Sequence, residues 1–133
     1  MRLSVADDPV PNWNSIAALP QIASLIDGQL TDGQEHYVTL LRFRDRPHVL
    51  DDATVERGIQ LHTAQMEFIG VLEKQLSRWQ SERLSPAQTS ELDRLKGQLD
   101  RLRKLVSEIL KLAQELKQGT IAKALAKKPF VRP

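Results

Sequence analysis

Residues 92–116 read LDRLKGQLDRLRKLVSEILKLAQEL and carry the strongest structural signal in the chain. Apolar side chains recur in it at gaps that alternate between three and four residues. They are Leu92, Leu95, Leu99, Leu102, Val106, Ile109, Ala113 and Leu116. A heptad spacing of this kind lines up the apolar side chains on one face of a helix, where a coiled-coil neighbour packs. The stretch therefore predicts a long helix with at least one helical partner.

The boundaries of this helix are predicted at residues 86–118. Ser85 followed by Pro86 is typical of an N-cap and a first helical position. Gly119 is well placed to end the helix, because glycine tolerates the left-handed conformation of a C-cap. A helix of about 32 residues would be about 48 Å long.

A second long helix is predicted over residues 52–83. Asp51 or Asp52 can cap its start, and side chains recur at helical spacing along it, at Val55, Ile59, His62, Met66, Ile69, Leu72, Leu76 and Trp79. The connection to Pro86 is short, and a short connection makes consecutive helices antiparallel neighbours. The fold is therefore predicted as all-α, an elongated helical bundle dominated by one long antiparallel hairpin.

A first helix is predicted from Ser15 or Pro20 to about Arg44. Residues 31–33, Thr-Asp-Gly, interrupt its apolar pattern, so we expect one helix that is bent or broken there, with two separate helices as the alternative.

The position of the first helix is predicted from the width of the apolar seam on the third. The seam is narrow between Leu92 and Leu102 and widens from Leu105 onward, and a wide apolar surface needs at least two partners. The first helix is therefore expected at the end of the hairpin away from its tip near Leu84. The tip would then project as a two-helix arm or be covered by a second subunit.

The domain organisation is predicted as one helical domain, residues 15–127, between two short terminal segments. Residues 1–14 read as an extended arm, because Pro9 and Pro11 restrict their neighbours to extended conformations. Residues 128–133 read as a basic tail.

The composition favours a folded protein without disulfides. The chain has 133 residues, a formal net charge of +2 and no cysteine, which excludes disulfides and thiolate metal sites and fits a cytoplasmic location. No apolar run approaches the ~20 residues of a membrane span. The small excess of positive charge does not require a nucleic-acid partner.

No motif for catalysis or cofactor binding is present in the sequence. His36, His48 and His62 form no Glu-x-x-His or His-Glu-x-x-His pattern. No nucleophile elbow and no phosphate-binding glycine loop occur. We therefore predict no catalytic residue, no metal, no cofactor and no evident small-molecule substrate, and we expect His62 to be a buried, hydrogen-bonded residue.

An enzyme with a small pocket inside the bundle is the chemical alternative. Tyr37, His36 and His62 are its only suitable polar groups. A pocket that gathered them with Glu35 or Glu67 would support this hypothesis, and their separation on different faces would remove it.

The function predicted is that of a non-catalytic helical interaction or scaffold protein that self-associates, with a dimer favoured. The working surface is expected along the hairpin seam, at Leu92, Leu95, Leu99, Leu102, Leu72, Leu76 and Trp79.

Nucleic-acid binding is the second functional hypothesis. Phosphate contacts would come from basic side chains at the end of the first helix and near the C-terminus. These are Arg42, Arg44, Arg46, Lys123, Lys127 and Lys128.

Overall fold

The computed structural model of the protein describes residues 13–44, 46 and 51–127, with side chains to residue 119. A 3-10 turn, Ile16–Ala18, leads into helix α1, Leu19–Arg42, which is followed by α2, Asp52–Gln80, and α3, Pro86–Lys127. No strand occurs in these ranges, which confirms the all-α class. Most of the predicted arm, residues 1–12, and the predicted tail, residues 128–133, lie outside the described residues.

Helices α2 and α3 begin at the capping residues that the sequence indicates. Asp51 Oδ1 accepts a hydrogen bond of 2.7 Å from the backbone N–H of Thr54. At α3, Ser85 Oγ accepts from the Gln88 N–H at 3.1 Å, and Gln88 Oε1 accepts from the Ser85 N–H at 2.9 Å. This reciprocal pair is a capping box, which satisfies two N–H groups that a helix start would leave without partners.

The predicted stop of α3 at Gly119 is wrong. The helix continues through Gly119 to Lys127, and none of the described glycines has a positive φ. Residues 120–127 are rich in alanine and lysine together with a leucine, all strong helix formers. They offset the cost of about 1 kcal/mol that one glycine carries inside a helix.

The predicted first helix is one helix and not two, and it has no break at residues 31–33, because α1 is continuous from Leu19 to Arg42. The Thr31 hydroxyl donates to the Asp27 carbonyl inside the helix, at 3.2 Å, and caps nothing. Gly33 is buried against α3, where an added Cβ would lie 2.9 Å from Leu105 Cδ2. The glycine therefore allows a close approach of two helices.

Helix α3 is the element on which both other helices pack. Ion pairs join Glu73 to Arg103 and Glu56 to Lys117, so residue numbers rise along α2 as they fall along α3. Between α1 and α3 both rise together, as the ion pair Asp27–Arg94 shows beside the contact of Gly33 with Leu105. Helix α2 is therefore antiparallel to α3, and α1 is parallel to it.

Helix α1 extends to the hairpin tip, which corrects its predicted position at the opposite end. Its first buried side chains belong to the same core as the tip residues of α2 and α3: Leu19, Ala23, Ile26, Leu30, Leu76, Trp79, Leu92 and Leu95. The indole N–H of Trp79 donates to the Asn14 carbonyl at 3.0 Å.

Polar side chains explain why the position of α1 predicted from the width of the apolar seam is wrong. Arg94 and Gln98 flank the narrow part of the α3 seam, and both hydrogen-bond to the Asp27 carboxylate on α1. A narrow apolar seam therefore does not limit a helix to one neighbour, because its polar border can bind a second one.

Candidate functional site

An open cleft of about 580 Å³ separates α1 from α2 in the half of the bundle away from the tip. Its α1 side is formed by Gln29, Asp32, Gly33 and His36. Its α2 side is formed by Leu61, His62, Ala64, Gln65 and Phe68. Helices α1 and α2 both pack on α3, and the space left between α1 and α2 is bridged by long polar side chains.

The bridge across the cleft is a short hydrogen-bond chain. Gln65 Nε2 donates to Gln29 Oε1 at 3.0 Å, so Gln65 Oε1 faces His62 Nδ1 at 2.8 Å. Since an amide oxygen can only accept, His62 Nδ1 carries the hydrogen in this network. In the neutral imidazole the other ring nitrogen, Nε2, is then an acceptor. The expectation that His62 is buried and hydrogen-bonded is thus confirmed, with 8% of the residue exposed.

His36 and His62 form a pair of imidazole rings whose centroids lie 4.9 Å apart at an interplanar angle of 33°. The pKa of His36 is lowered from its ordinary value, first because its surroundings desolvate the imidazolium and second because His62 repels it. No group of three or more histidine, aspartate or glutamate side chains that could hold a metal ion occurs among the described residues.

A second cavity, of about 170 Å³, lies on the other side of the histidine pair, and we call it the chamber. Its wall is almost wholly apolar and comes from all three helices, through Leu40, Phe43, Val55, Gly58, Ala113 and Leu116. Thr39 and Thr54 complete it. His36 and His62 line the chamber and the cleft alike, so the two spaces adjoin the same histidine pair.

The residues of the enzyme hypothesis are only partly brought together. The histidines meet, but neither the cleft lining nor the chamber lining includes Tyr37, Glu35 or Glu67. Neither the Glu35 carboxylate nor the Glu67 carboxylate therefore lies beside the paired imidazoles in these cavities.

The seven residues predicted as an interaction surface lie in the protein's own core. Each of Leu72, Leu76, Trp79, Leu92, Leu95, Leu99 and Leu102 is at most 3% exposed. The large apolar side chains that the structure exposes among its described residues are Leu25, Val38, Leu61 and Phe68. Leu61 and Phe68 lie beside the helical stripe of α2 in the sequence, but periodicity alone does not show that they stay uncovered.

The basic residues of the nucleic-acid hypothesis are only partly described. Arg42 and Arg46 are exposed near the end of α1. Arg44 lies there as well, with Nη2 3.7 Å from Glu115 Oε1, so an acid of the same chain partly neutralises it. The side chains of Lys123 and Lys127, and Lys128 altogether, lie outside the described part.

The described chain thus defines a class, a three-helix bundle with a cleft and a chamber around a histidine pair. No family model, no curated protein and no solved structure matches the chain. None of the helices in the described ranges carries an apolar segment long enough to cross a membrane.

Proposed function

We propose that this protein is a non-catalytic helical interaction protein that self-associates as a dimer through the cleft face of α2. The observation that carries the proposal is the exposure of two large apolar side chains on that face: 65% of Leu61 and 39% of Phe68. The proposal includes a cytoplasmic location, which the absence of cysteine from the sequence favours.

The spacing of the exposed residues fits a symmetric pairing of two α2 helices. Leu61, Ala64 and Phe68 follow one another at i, i+3 and i+7, which places them on one face of the helix. If two copies pack antiparallel about a twofold axis between Ala64 and Gln65, Leu61 of each copy faces Phe68 of the other. The small side chain of Ala64 near the axis lets the two backbones approach. Such an isologous contact uses the same patch on both subunits.

The energy of this contact supports a reversible dimer. Burying two leucine and two phenylalanine side chains contributes at most about 6–12 kcal/mol. Association costs about 4–15 kcal/mol in lost translational and rotational freedom. The most favourable difference between these ranges is about 8 kcal/mol, which corresponds to a dissociation constant of about 1 μM. A dimer formed through this contact alone is therefore expected to dissociate at micromolar or higher concentrations.

Sedimentation velocity over a concentration series tests the dimer. The variant Leu61→Arg places a charge at the proposed contact and should sediment as a monomer at every concentration where the parent protein is dimeric. Val38→Arg is the matched control, because Val38 is 50% exposed on α1 and does not line the cleft. A dimer that Leu61→Arg leaves intact, or that Val38→Arg disrupts equally, contradicts the proposed surface.

Nucleic-acid binding stays the alternative proposal, supported by the exposure of Arg42 and Arg46. It predicts that the double variant Arg42→Gln/Arg46→Gln weakens a salt-sensitive electrophoretic shift of DNA or RNA. Absence of any shift at low ionic strength removes this alternative.

A further inference from the structure

The chamber beside His62 has the features of a binding site for a small molecule. Its volume, about 170 Å³, resembles that of an engineered apolar cavity of about 150 Å³ that binds benzene. Its wall combines aliphatic side chains with the phenyl ring of Phe43. Ligand sites in proteins are typically apolar cavities with a few polar groups that fix orientation.

His62 supplies the polar group that a purely structural cavity would not need. Its Nδ1 is bound to Gln65 Oε1, while no described residue donates a hydrogen bond to its Nε2. The residue is 8% exposed, so this acceptor is shielded from most water. Among the described residues this shielded acceptor has no donor, and a ligand that donates a hydrogen bond to it would satisfy it.

We propose that the chamber binds a small monocyclic aromatic alcohol of the phenol type, whose hydroxyl donates to His62 Nε2. The ring occupies the apolar space between Phe43, Val55 and Leu116, and the hydroxyl points to the histidine pair. His36 borders the hydroxyl from the α1 side. The site is formed inside one chain, so it does not depend on the proposed self-association.

Gly58 offers a way to close the chamber without damaging the helix. It lines the chamber, and a Cβ added there meets no atom within 4 Å. A leucine at this position can therefore fill the chamber, while it also removes the helix cost of glycine. Gly28 is the matched control, because its added Cβ also meets no atom within 4 Å and it lines neither the chamber nor the cleft.

Binding is measured on the full chain by methyl NMR, with phenol and toluene as the two probes. We expect phenol to shift the methyl signals of Val55, Ala113 and Leu116 while those of Leu95 at the tip stay unchanged. Phenol should bind about fivefold more tightly than toluene, which matches one net hydrogen bond. Gly58→Leu should weaken phenol binding at least tenfold, and Gly28→Leu should leave it unchanged.

Two outcomes overturn the proposal. Equal binding of phenol and toluene contradicts the hydrogen bond to His62, and His62→Leu provides the second check, because it should abolish the preference for phenol. Shifts centred on the tip, no shifts at millimolar phenol, or unchanged affinity in Gly58→Leu contradict the chamber. If Gly58→Leu fails to fold, the methyl shifts of the unmodified protein decide the question alone.

Discussion

The two halves of the bundle are built from the same three helices but packed differently. In the tip half, Leu19 to Leu30 of α1 join Trp79 and the α3 seam in one continuous core. In the open half, a separate small cluster of Val55, Ile59 and Ala113 lies beside the cleft and the chamber.

The difference between the halves follows from the side chains of α1. Its buried positions run Leu19, Ala23, Ile26, Leu30 and then Gly33. After Leu30 the helix brings a glycine and then His36 toward its neighbours, so too few apolar atoms remain to fill the space between α1 and α2. A regular heptad on α3 therefore supplies one side of a core, while the side chains of the opposing helices determine whether that core is fully packed.

The largest expected difference between the two halves is in the free energy of unfolding lost when one leucine in each half is truncated to alanine. Leu95→Ala, in the tip half, should lower the free energy of unfolding by about 2–5 kcal/mol, because it creates a new cavity in a filled core. Leu116→Ala, which only enlarges the existing chamber, should fall near the low end of that range. Urea denaturation with a common m-value measures both. Equal losses would show that the chamber is filled in solution.

A smaller difference in stability is expected between alanine substitutions at two glycines of α1, one at an open surface and one at a close helix contact. Gly28→Ala meets open space and should stabilise the protein by about 1 kcal/mol, the difference in helix propensity. Gly33→Ala gains the same propensity but pushes against Leu105 at 2.9 Å, so its net gain should be smaller or negative. Thermal unfolding of the two variants tests this order, and an equal gain would contradict the close approach of α1 and α3.

The smallest effect expected is a pH dependence that differs between the halves. The pKa of His36 lies below its ordinary 6.5, so the unfolded chain binds this proton more tightly than the folded one. The free energy of unfolding should therefore fall as pH decreases through 6.5 toward the lowered pKa, and stay level above. In the tip half, hydrogen bonds from Arg94 and then Gln98 lower the pKa of Asp27 below 3.8. The contribution of the Asp27 carboxylate to the free energy of unfolding is therefore lost only in stronger acid.

Chemical denaturation at pH 7.5 and 5.5 measures this difference. His36→Gln should flatten the dependence over that interval, whereas Asp27→Asn should leave it unchanged. A slope that His36→Gln does not alter would mean that another group titrates there.

Local signals in the sequence predicted the three helices and the starts of α2 and α3. The leucine spacing of residues 92–116, the Asp51 cap and the Ser85-Pro86 start are local signals, because each depends on residues within a few turns of one another. The predictions of a helix end at Gly119 and of a break at residues 31–33 also used local signals. A glycine does not interrupt a helix when the surrounding residues favour one or when it lies at a close contact with a neighbouring helix.

The position of α1, the exposure of apolar side chains and the location of the cavities depend on tertiary packing. Arg94 reaches Asp27 across 67 positions of the chain, and the histidines of the chamber come from two different helices. Whether Leu61 is covered depends on the distance between α1 and α2, which their joint packing on α3 sets. Burial is a property of neighbours that are distant in sequence, so periodicity can indicate which face of a helix is apolar but not what covers it.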